Sequence, residues 1–300
     1  MINFIDGLHL GRAQVIGVGV VGTEQLALID SGPECCFDAT VAGIHRLGLR
    51  PENVTHLLVT HIHLDHSGGA WRWAREFGTT ICVHPRGAPH IENPGKLVAS
   101  ATKIFGADMP RLWGEVQAVP PEKIRLVQDG DEIAAGGTVF RAIETPGHAP
   151  HHHAWWLARE RTLFAGDVAG VSINGGPLLP PCPPPDINLE LWHTSLEKIR
   201  ALDPVRLWLT HFGSVDAPLA PLAGLESRLG RWAEWVREQL RAGRSEPEIE
   251  PRFTQLVAAE LRASGADEAL IATYEQADPA AMSVGGLARY WGKFHPAALA

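Results

Sequence analysis

Thr60-His61-Ile62-His63-Leu64-Asp65-His66-Ser67-Gly68-Gly69 is the stretch on which the fold of this chain turns. Residues 61–66 hold three histidines and an aspartate, too many ligand-type side chains for a packing face. Upstream, His56–Thr60 is a short apolar run of the kind that forms a buried strand. Downstream, Gly68-Gly69 marks a turn, and Trp71–Phe77 has the spacing of a helix. The order is therefore strand, loop, helix. A tight loop at the end of a strand can aim successive side chains at one point. Imidazole and carboxylate are ligands that a borderline divalent cation such as zinc prefers. One His-x-His would be as well explained by a polar surface loop, but the full His-x-His-x-Asp-His is not.

Three more positions repeat the pattern. Thr145-Pro146-Gly147-His148 follows the strand expected at Thr138–Glu144, and Phe164-Ala165-Gly166-Asp167 closes the one at Thr162–Ala165. Leu209-Thr210-His211-Phe212-Gly213 ends the strand expected at Arg206–Thr210. Each puts a ligand-type residue beyond a buried strand at a Gly-bearing turn. Singly such a residue is an ordinary loop residue; together with the first loop they read as one metal centre.

Around these turns, strands are expected at Ala13–Val21, Gln25–Asp30, Thr80–His84, Ile124–Val127 and Ala154–Ala158, with helices at Phe37–Leu47 and Leu189–Leu202. Interleaved strands and helices with hairpin-like neighbours predict a layered α/β architecture with mixed sheets. After about residue 215 the spacing is helical throughout, at Leu219–Ala242, Ile249–Ala263, Ala266–Gln276 and Ala280–Lys293. The expected division is a catalytic domain over 1–215 and a helical domain over 216–300. Between Pro177 and Asp186 six of ten residues are proline, a stiff segment that reads as a spacer or as a rigid wall beside the site.

Lys and Arg number 26 against 34 Asp and Glu, a formal charge of −8. That balance argues against a long anionic polymer as ligand, because nucleic-acid binding rests on neutralising phosphates. No run approaches the ~18 apolar residues of a membrane span. The N-terminal residues lack the pattern of a signal peptide, so the cytoplasm is the expected location. Cys35, Cys36, Cys82 and Cys182 form no CxxC pair and read as free, mostly buried thiols.

The ordered set His-x-His-x-Asp-His, Gly-His, Gly-Asp and Thr-His resembles the metallo-β-lactamase superfamily. The resemblance spans roughly residues 10 to 213. It implies a four-layer αβ/βα sandwich, here with an appended helical domain. It also implies a ligand allocation: His61, His63 and His148 on one metal, Asp65, His66 and His211 on a second, and Asp167 bridging both. The implied cofactor is two divalent ions, zinc first, with iron or manganese as alternatives. A bridging aspartate at Asp167 points away from antibiotic hydrolysis and toward glyoxalase II-like thioesterases and lactonases. Lactonases of the superfamily place a tyrosine near the site, whereas Tyr274 and Tyr290 both lie in the C-terminal helices, which leaves lactone hydrolysis unsupported.

Two close metals can share a water and lower its pKa toward neutrality. Asp65, with one oxygen free, would orient that water or pass its proton on, and is the expected catalytic residue. The expected activity is hydrolysis of an ester, thioester or related acyl bond of a small molecule by a metal-bridging hydroxide. The alternative is a mononuclear iron, persulfide dioxygenase-like oxidoreductase, and behind it a nucleic-acid hydrolase. The expected partner is a small-molecule substrate, with no nucleic acid and no membrane; a homodimer is compatible with the Trp- and Leu-rich helices. Asp30, ending a buried strand, reads either as a turn cap or as the acceptor that fixes a ligand histidine. His151, His152 and His153 read mainly as loop or surface residues, with contact of one of them to a ligand residue or to substrate as the alternative, and His84 reads as structural. His56 reads as a satisfied core or edge residue, and residues 245–250 as a solvated acidic turn. The tryptophans read as packing residues, with Trp155 and Trp156 as candidates for a pocket wall.

Overall fold

The computed structural model describes residues 1–300. Its strands are β1 (Ile2–Asp6), β2 (Gly17–Gly22), β3 (Leu26–Ile29), β4 (Val54–Leu58), β5 (Thr80–Val83), β6 (Ile124–Leu126), β7 (Glu132–Ala135), β8 (Thr138–Glu144), β9 (His153–Leu157), β10 (Thr162–Phe164), β11 (Arg206–Leu209) and β12 (Gly213–Asp216). Two six-stranded sheets form in the orders β1-β2-β3-β4-β5-β6 and β12-β11-β10-β9-β8-β7. The first is antiparallel through β3 and parallel from β3 to β6. The second is antiparallel except where β10 meets β11.

Because side chains alternate along a strand, each sheet serves two apolar layers. Ile29, Leu58, Phe140, Trp155 and Phe164 face inward and fill the space between the sheets. Leu28 and Leu57 face outward under α1 (Phe37–Arg46) and α3 (Ala70–Phe77), where Phe37, Trp71 and Trp73 bury their rings; the short α2 (Leu64–Ser67) precedes α3. Trp156, Leu163 and Leu207 face outward from the second sheet into a third core. That core is completed by α7 (Leu189–Ala201), α8 (Leu219–Arg241), α9 (Glu246–Ala263), α10 (Glu268–Ala277) and α11 (Ala280–Phe294). The result is the four-layer sandwich with mixed sheets that the sequence led one to expect, with helices in its C-terminal region. Those helices share one continuous core with the second sheet. No helix is long and apolar enough to cross a membrane.

Several expectations need correction. Trp155 is fully buried between the sheets and Trp156 lies under the C-terminal helices, so neither forms a pocket wall. The strand expected from Ala13 begins at Gly17; Val15 and Ile16 lie in a bend whose carbonyls accept from His211 and Gly7. Three strands, β1, β7 and β12, went unread, as did α4 (Ala88–Glu92), α5 (Gly95–Phe105) and α6 (Met109–Trp113). Residues 245–250 are the capped start of α9, in which Ser245 and Glu248 form a reciprocal capping box.

Candidate metal centre

His61 and His63 leave β4 in the loop that leads into α2, which carries Asp65 and His66. His148 stands in the β8–β9 loop, Asp167 in the turn after β10 and His211 directly after β11. All of these are adjacent C-terminal strand ends, so the topology brings residues 150 positions apart to one edge of the sandwich. Backbone details fix the turns. Gly166 has φ +51°, and a Cβ there would stand 2.7 Å from His152 Nε2 and 2.9 Å from Thr60. Only glycine lets the Asp167 turn approach the His61 loop this closely.

The ligand-type atoms fall into groups. Those of His61, His63 and His148 lie within 4.8 Å of one another, and so do those of Asp65, His66 and His211. Asp167 stands between: its Oδ2 is 3.5 Å from His148 Nε2 and 3.9 Å from His61 Nε2. Its Oδ1 is 3.2 Å from His66 Nε2 and 3.9 Å from His211 Nε2. Asp65 Oδ2 is 3.2 Å from His211 Nε2.

The outer nitrogens show where the protons sit. His148 Nδ1 lies 2.9 Å from the Pro181 carbonyl, His211 Nδ1 2.7 Å from the Val15 carbonyl and His66 Nδ1 2.7 Å from Asp30 Oδ2. Carbonyl oxygens and an ionised carboxylate only accept, so each Nδ1 must donate and each Nε2 is left with a bare lone pair pointing inward. Thr60 Oγ1 spends its proton on Asp30 and therefore accepts from His61 Nδ1 at 3.1 Å, which bares His61 Nε2 as well. His63 Nδ1 then faces His61 Nε2 at 2.9 Å and His148 Nε2 at 3.0 Å. His66 Nε2 and Asp167 Oδ1 are buried without a hydrogen-bond partner. Lone pairs converging on a buried point with too few protons to join them are what a cation requires, and the donor set fits divalent metal.

The electrostatics follow from this crowding. Burial, reinforced by His148, holds His63 down to about 3, and burial with His66 and His63 holds His61 well below the ordinary imidazole range. Burial also depresses His66, but Asp167, Asp30 and Asp65 outweigh it and raise this imidazole well above its ordinary value. Burial pushes Asp65 and Asp167 up, and the surrounding histidines overcome it and hold both below the usual carboxylate range.

Asp30 turns out to fill both roles weighed for it. Fully buried, it accepts from the Thr60 amide at 2.7 Å, from Thr210 Oγ1 at 2.8 Å and from His66 Nδ1. One carboxylate thus ties the ends of β3, β4 and β11 to a ligand-type histidine. The three histidines after His148 are not surface residues: His151 lines the adjoining cavity, while His152 and His153 are fully buried. His84 is structural as expected, contacting Glu144 at 3.0 Å and accepting from the Arg86 amide. His56 Nδ1 lies 3.0 Å from Thr55 Oγ1.

A cavity of about 540 Å³ opens onto the centre, reaching His63, Asp65, Asp167 and His211. Pro181 and Pro183–Pro185 line it, so the proline segment is a wall, held by the Arg289 contact to Pro185 and the Ser283 contact to Cys182. Sequence reasoning missed Asp278, Arg86 and Lys96, which also line the cavity. Burial, joined by Asp167, lifts the Asp278 carboxyl to about 7. Its Asp-Pro setting after a helix signals only a cap. Neither tyrosine reaches the cavity: Tyr274 OH donates to the Pro177 carbonyl, and Tyr290 OH meets Glu190.

The family profile described as the metallo-beta-lactamase superfamily matches residues 16–211. The chain belongs to that superfamily. It is 29% identical over 169 residues to a metallo-beta-lactamase fold-containing protein of Sulfurisphaera tokodaii, covering 55% of this chain and 63% of that one. It is 31% identical over 184 residues to a hydroxyacylglutathione hydrolase of Rhodopseudomonas palustris, covering 60% and 58%. The chain thus spans less than two thirds of the length of these curated relatives. Among solved structures it is similar to an archaeal superfamily protein from Sulfolobus tokodaii, with TM-score 0.62, 25% identity and coverage of 77% and 85%. A family protein from Thermus thermophilus superposes with TM-score 0.66 at 20% identity over 93% of this chain and 88% of that one, a likeness of fold.

Proposed function

We propose that this chain is a binuclear metallo-hydrolase that cleaves an ester, thioester or related acyl bond of a small molecule. The observation that carries the reading is the set of inward lone pairs of His61, His66, His148 and His211, with Asp167 directing one oxygen to each group. His61, His63 and His148 would hold one divalent ion, Asp65, His66 and His211 the other, and Asp167 would touch both. Zinc suits this nitrogen and oxygen set. When bound, such a pair acidifies water and polarises a carbonyl.

The rest of the chemistry belongs to the chain. Asp65 is the most open of the site carboxylates, with a side chain 20% exposed against 6% for Asp167, and it faces the cavity. One of its oxygens contacts His211, so the other is available to take a proton from water and return it to the departing alcohol or thiol. The proline wall and Ile62 hold bulk water away on two sides. Hydroxyacylglutathione hydrolases among the relatives support a thioester reading in particular.

The test is elemental analysis of purified protein beside a panel of small esters and thioesters, with His66→Ala as the comparison. About two zinc ions per chain, lost together with hydrolysis in the variant, is the expected result. A single iron with oxygen uptake and no ester turnover would move the protein to a dioxygenase-like reading.

A further inference from the structure

The 540 Å³ cavity that reaches the metal centre also carries an apolar strip, beside polar lining residues such as Arg86, Lys96 and Ser100. A small cluster of Leu64, Ala101 and Met109 is separate from the three large cores and packs Leu97, Phe105 and Trp113 around it. Leu64 lies between His63 and Asp65 in the ligand loop, so the apolar strip begins at the metal centre itself. From there it follows one face of α5, where Leu97, Ala101 and Ile104 recur at helical spacing and all line the cavity. Phe105 and Trp113 meet edge to face at 5.1 Å beside this face. At the outer end Ile104 and Leu10 stay 45% and 41% exposed while lining the cavity. Large aliphatic side chains left open at a cavity mouth mark a surface that a ligand covers.

Resting on the hydrolase reading above, we infer that the substrate is an ester or thioester with an unbranched apolar acyl chain of medium length. The acyl carbon sits at the metal centre and the chain runs along α5 toward Ile104. Leu97 to Ile104 rises about 10 Å at about 1.5 Å per residue, the reach of roughly eight carbons. In the reaction the water oxygen bonds to the acyl carbon, the bond from that carbon to oxygen or sulfur breaks, and the water's proton goes to the leaving group. The products are a free fatty acid and an alcohol or thiol.

The experiment uses the metal-loaded protein and two readouts. The first is kcat/KM across acyl thioesters of two to twelve carbons. Each buried methylene contributes about 0.8 kcal/mol, close to a fourfold gain, so partial burial should give at least a roughly fiftyfold rise from two to eight carbons. The second is binding of a neutral apolar dye, N-phenyl-1-naphthylamine, and its displacement by octanol. Ala101→Trp fills the strip at a buried position; Ile104→Asp charges an exposed one and does not threaten the fold. Both variants should weaken dye binding at least tenfold and flatten the chain-length profile, while metal content stays as in wild type. Thioesters hydrolysed with a flat profile, and no dye bound, would overturn the acyl strip and leave the hydrolase reading standing. Dye and octanol binding without hydrolysis of any thioester would refute the hydrolase reading, and with it the substrate assignment.

Discussion

Asp30→Asn is the substitution whose outcome the structure specifies most closely. Asp30 accepts from the Thr60 amide and hydroxyl, from Thr210 Oγ1 and from His66 Nδ1, all at 2.7–3.0 Å and with no solvent contact. Alanine would orphan at least three buried donors at roughly 1–3 kcal/mol each, a sum comparable with the whole stability of a domain. Asn keeps the volume and, through Oδ1, the Thr60 amide bond. Its NH2 group must then face His66 Nδ1 or Thr210. A donor opposite Nδ1 forces the imidazole into the tautomer protonated at Nε2, the atom that stands 3.2 Å from Asp167. A protonated Nε2 cannot hold metal. The loss expected is therefore selective: about 10- to 100-fold in affinity for the ion at His66. The melting temperature should fall by only a few degrees, from roughly 1–2 kcal/mol of weakened bonding. Metal competition against a chromophoric chelator, with circular dichroism as a check on folding, measures both. A folded Asp30→Asn protein that holds both ions within twofold of wild-type affinity would refute the tautomer argument.

Gly147→Ala should be among the most damaging single changes, because its Cβ would stand 2.3 Å from Trp192 Cα and 2.5 Å from Trp192 N, at φ +139°. A loss of at least about 3 kcal/mol is expected in chemical denaturation, whereas Gly230→Ala, in the middle of α8 with open space at Cβ, should gain roughly 0.5–1 kcal/mol. Removing metal with a chelator should lower the melting temperature by on the order of 5–10 °C, since free ion at a hundredfold excess over its Kd contributes about 2.7 kcal/mol. Calorimetry with and without added zinc checks it. In the metal-free protein the Asp278 carboxyl is raised to about 7, so the folded state holds a proton that the unfolded state releases near pH 4. The resulting penalty is absent below about pH 4, grows through the window between, and is complete above about pH 7. Asp278→Asn should therefore match wild type at the acid end and exceed it by roughly 1–2 kcal/mol at pH 8, after allowance for solvent in the cavity. A difference that does not change with pH would contradict it.

The centre was legible because its residues carry their own local signal. A histidine or aspartate beyond a buried strand at a glycine-bearing turn needs no long-range information to be noticed, and His61, His63, Asp65, His66, His148, Asp167 and His211 all have that setting. The edge strands were hidden for the opposite reason. β12 is Gly-Ser-Val-Asp, half exposed and without a run of apolar residues, and only pairing with β11 makes it a strand. β7 alternates in burial as a strand should, yet Glu-Ile-Ala-Ala is too short to print an alternating pattern of its own. The helices between 88 and 113 escaped because only Ala88, Ile91, Ala101 and Met109 among them are buried, too few to print a clear period. The histidines of 151–153 misled because a run of polar residues suggests solvent, while here each meets another imidazole or a strand end.

What selects the substrate and what would hold the metals therefore lie in different parts of the chain. The ligand-type residues sit at strand ends tied together by Asp30, Thr60 and Thr210, where a small shift would break several buried hydrogen bonds at once. The cavity beyond them is made by α5, α6 and the residues that join α10 to α11, none of which supplies a ligand atom. Of these, α5 and α6 pack largely through a small cluster and exposed side chains, so they can change with little disturbance to the sheets. A substitution at Ile104 should alter which acyl chains are accepted and leave metal content untouched. A substitution at Asp30 should do the reverse, lowering metal content and activity in the same proportion for every acyl chain. Opposite signatures from Ile104 in the cavity wall and Asp30 buried behind the ligand-type histidines would separate selection from chemistry in this protein more directly than any change to a ligand, which abolishes both.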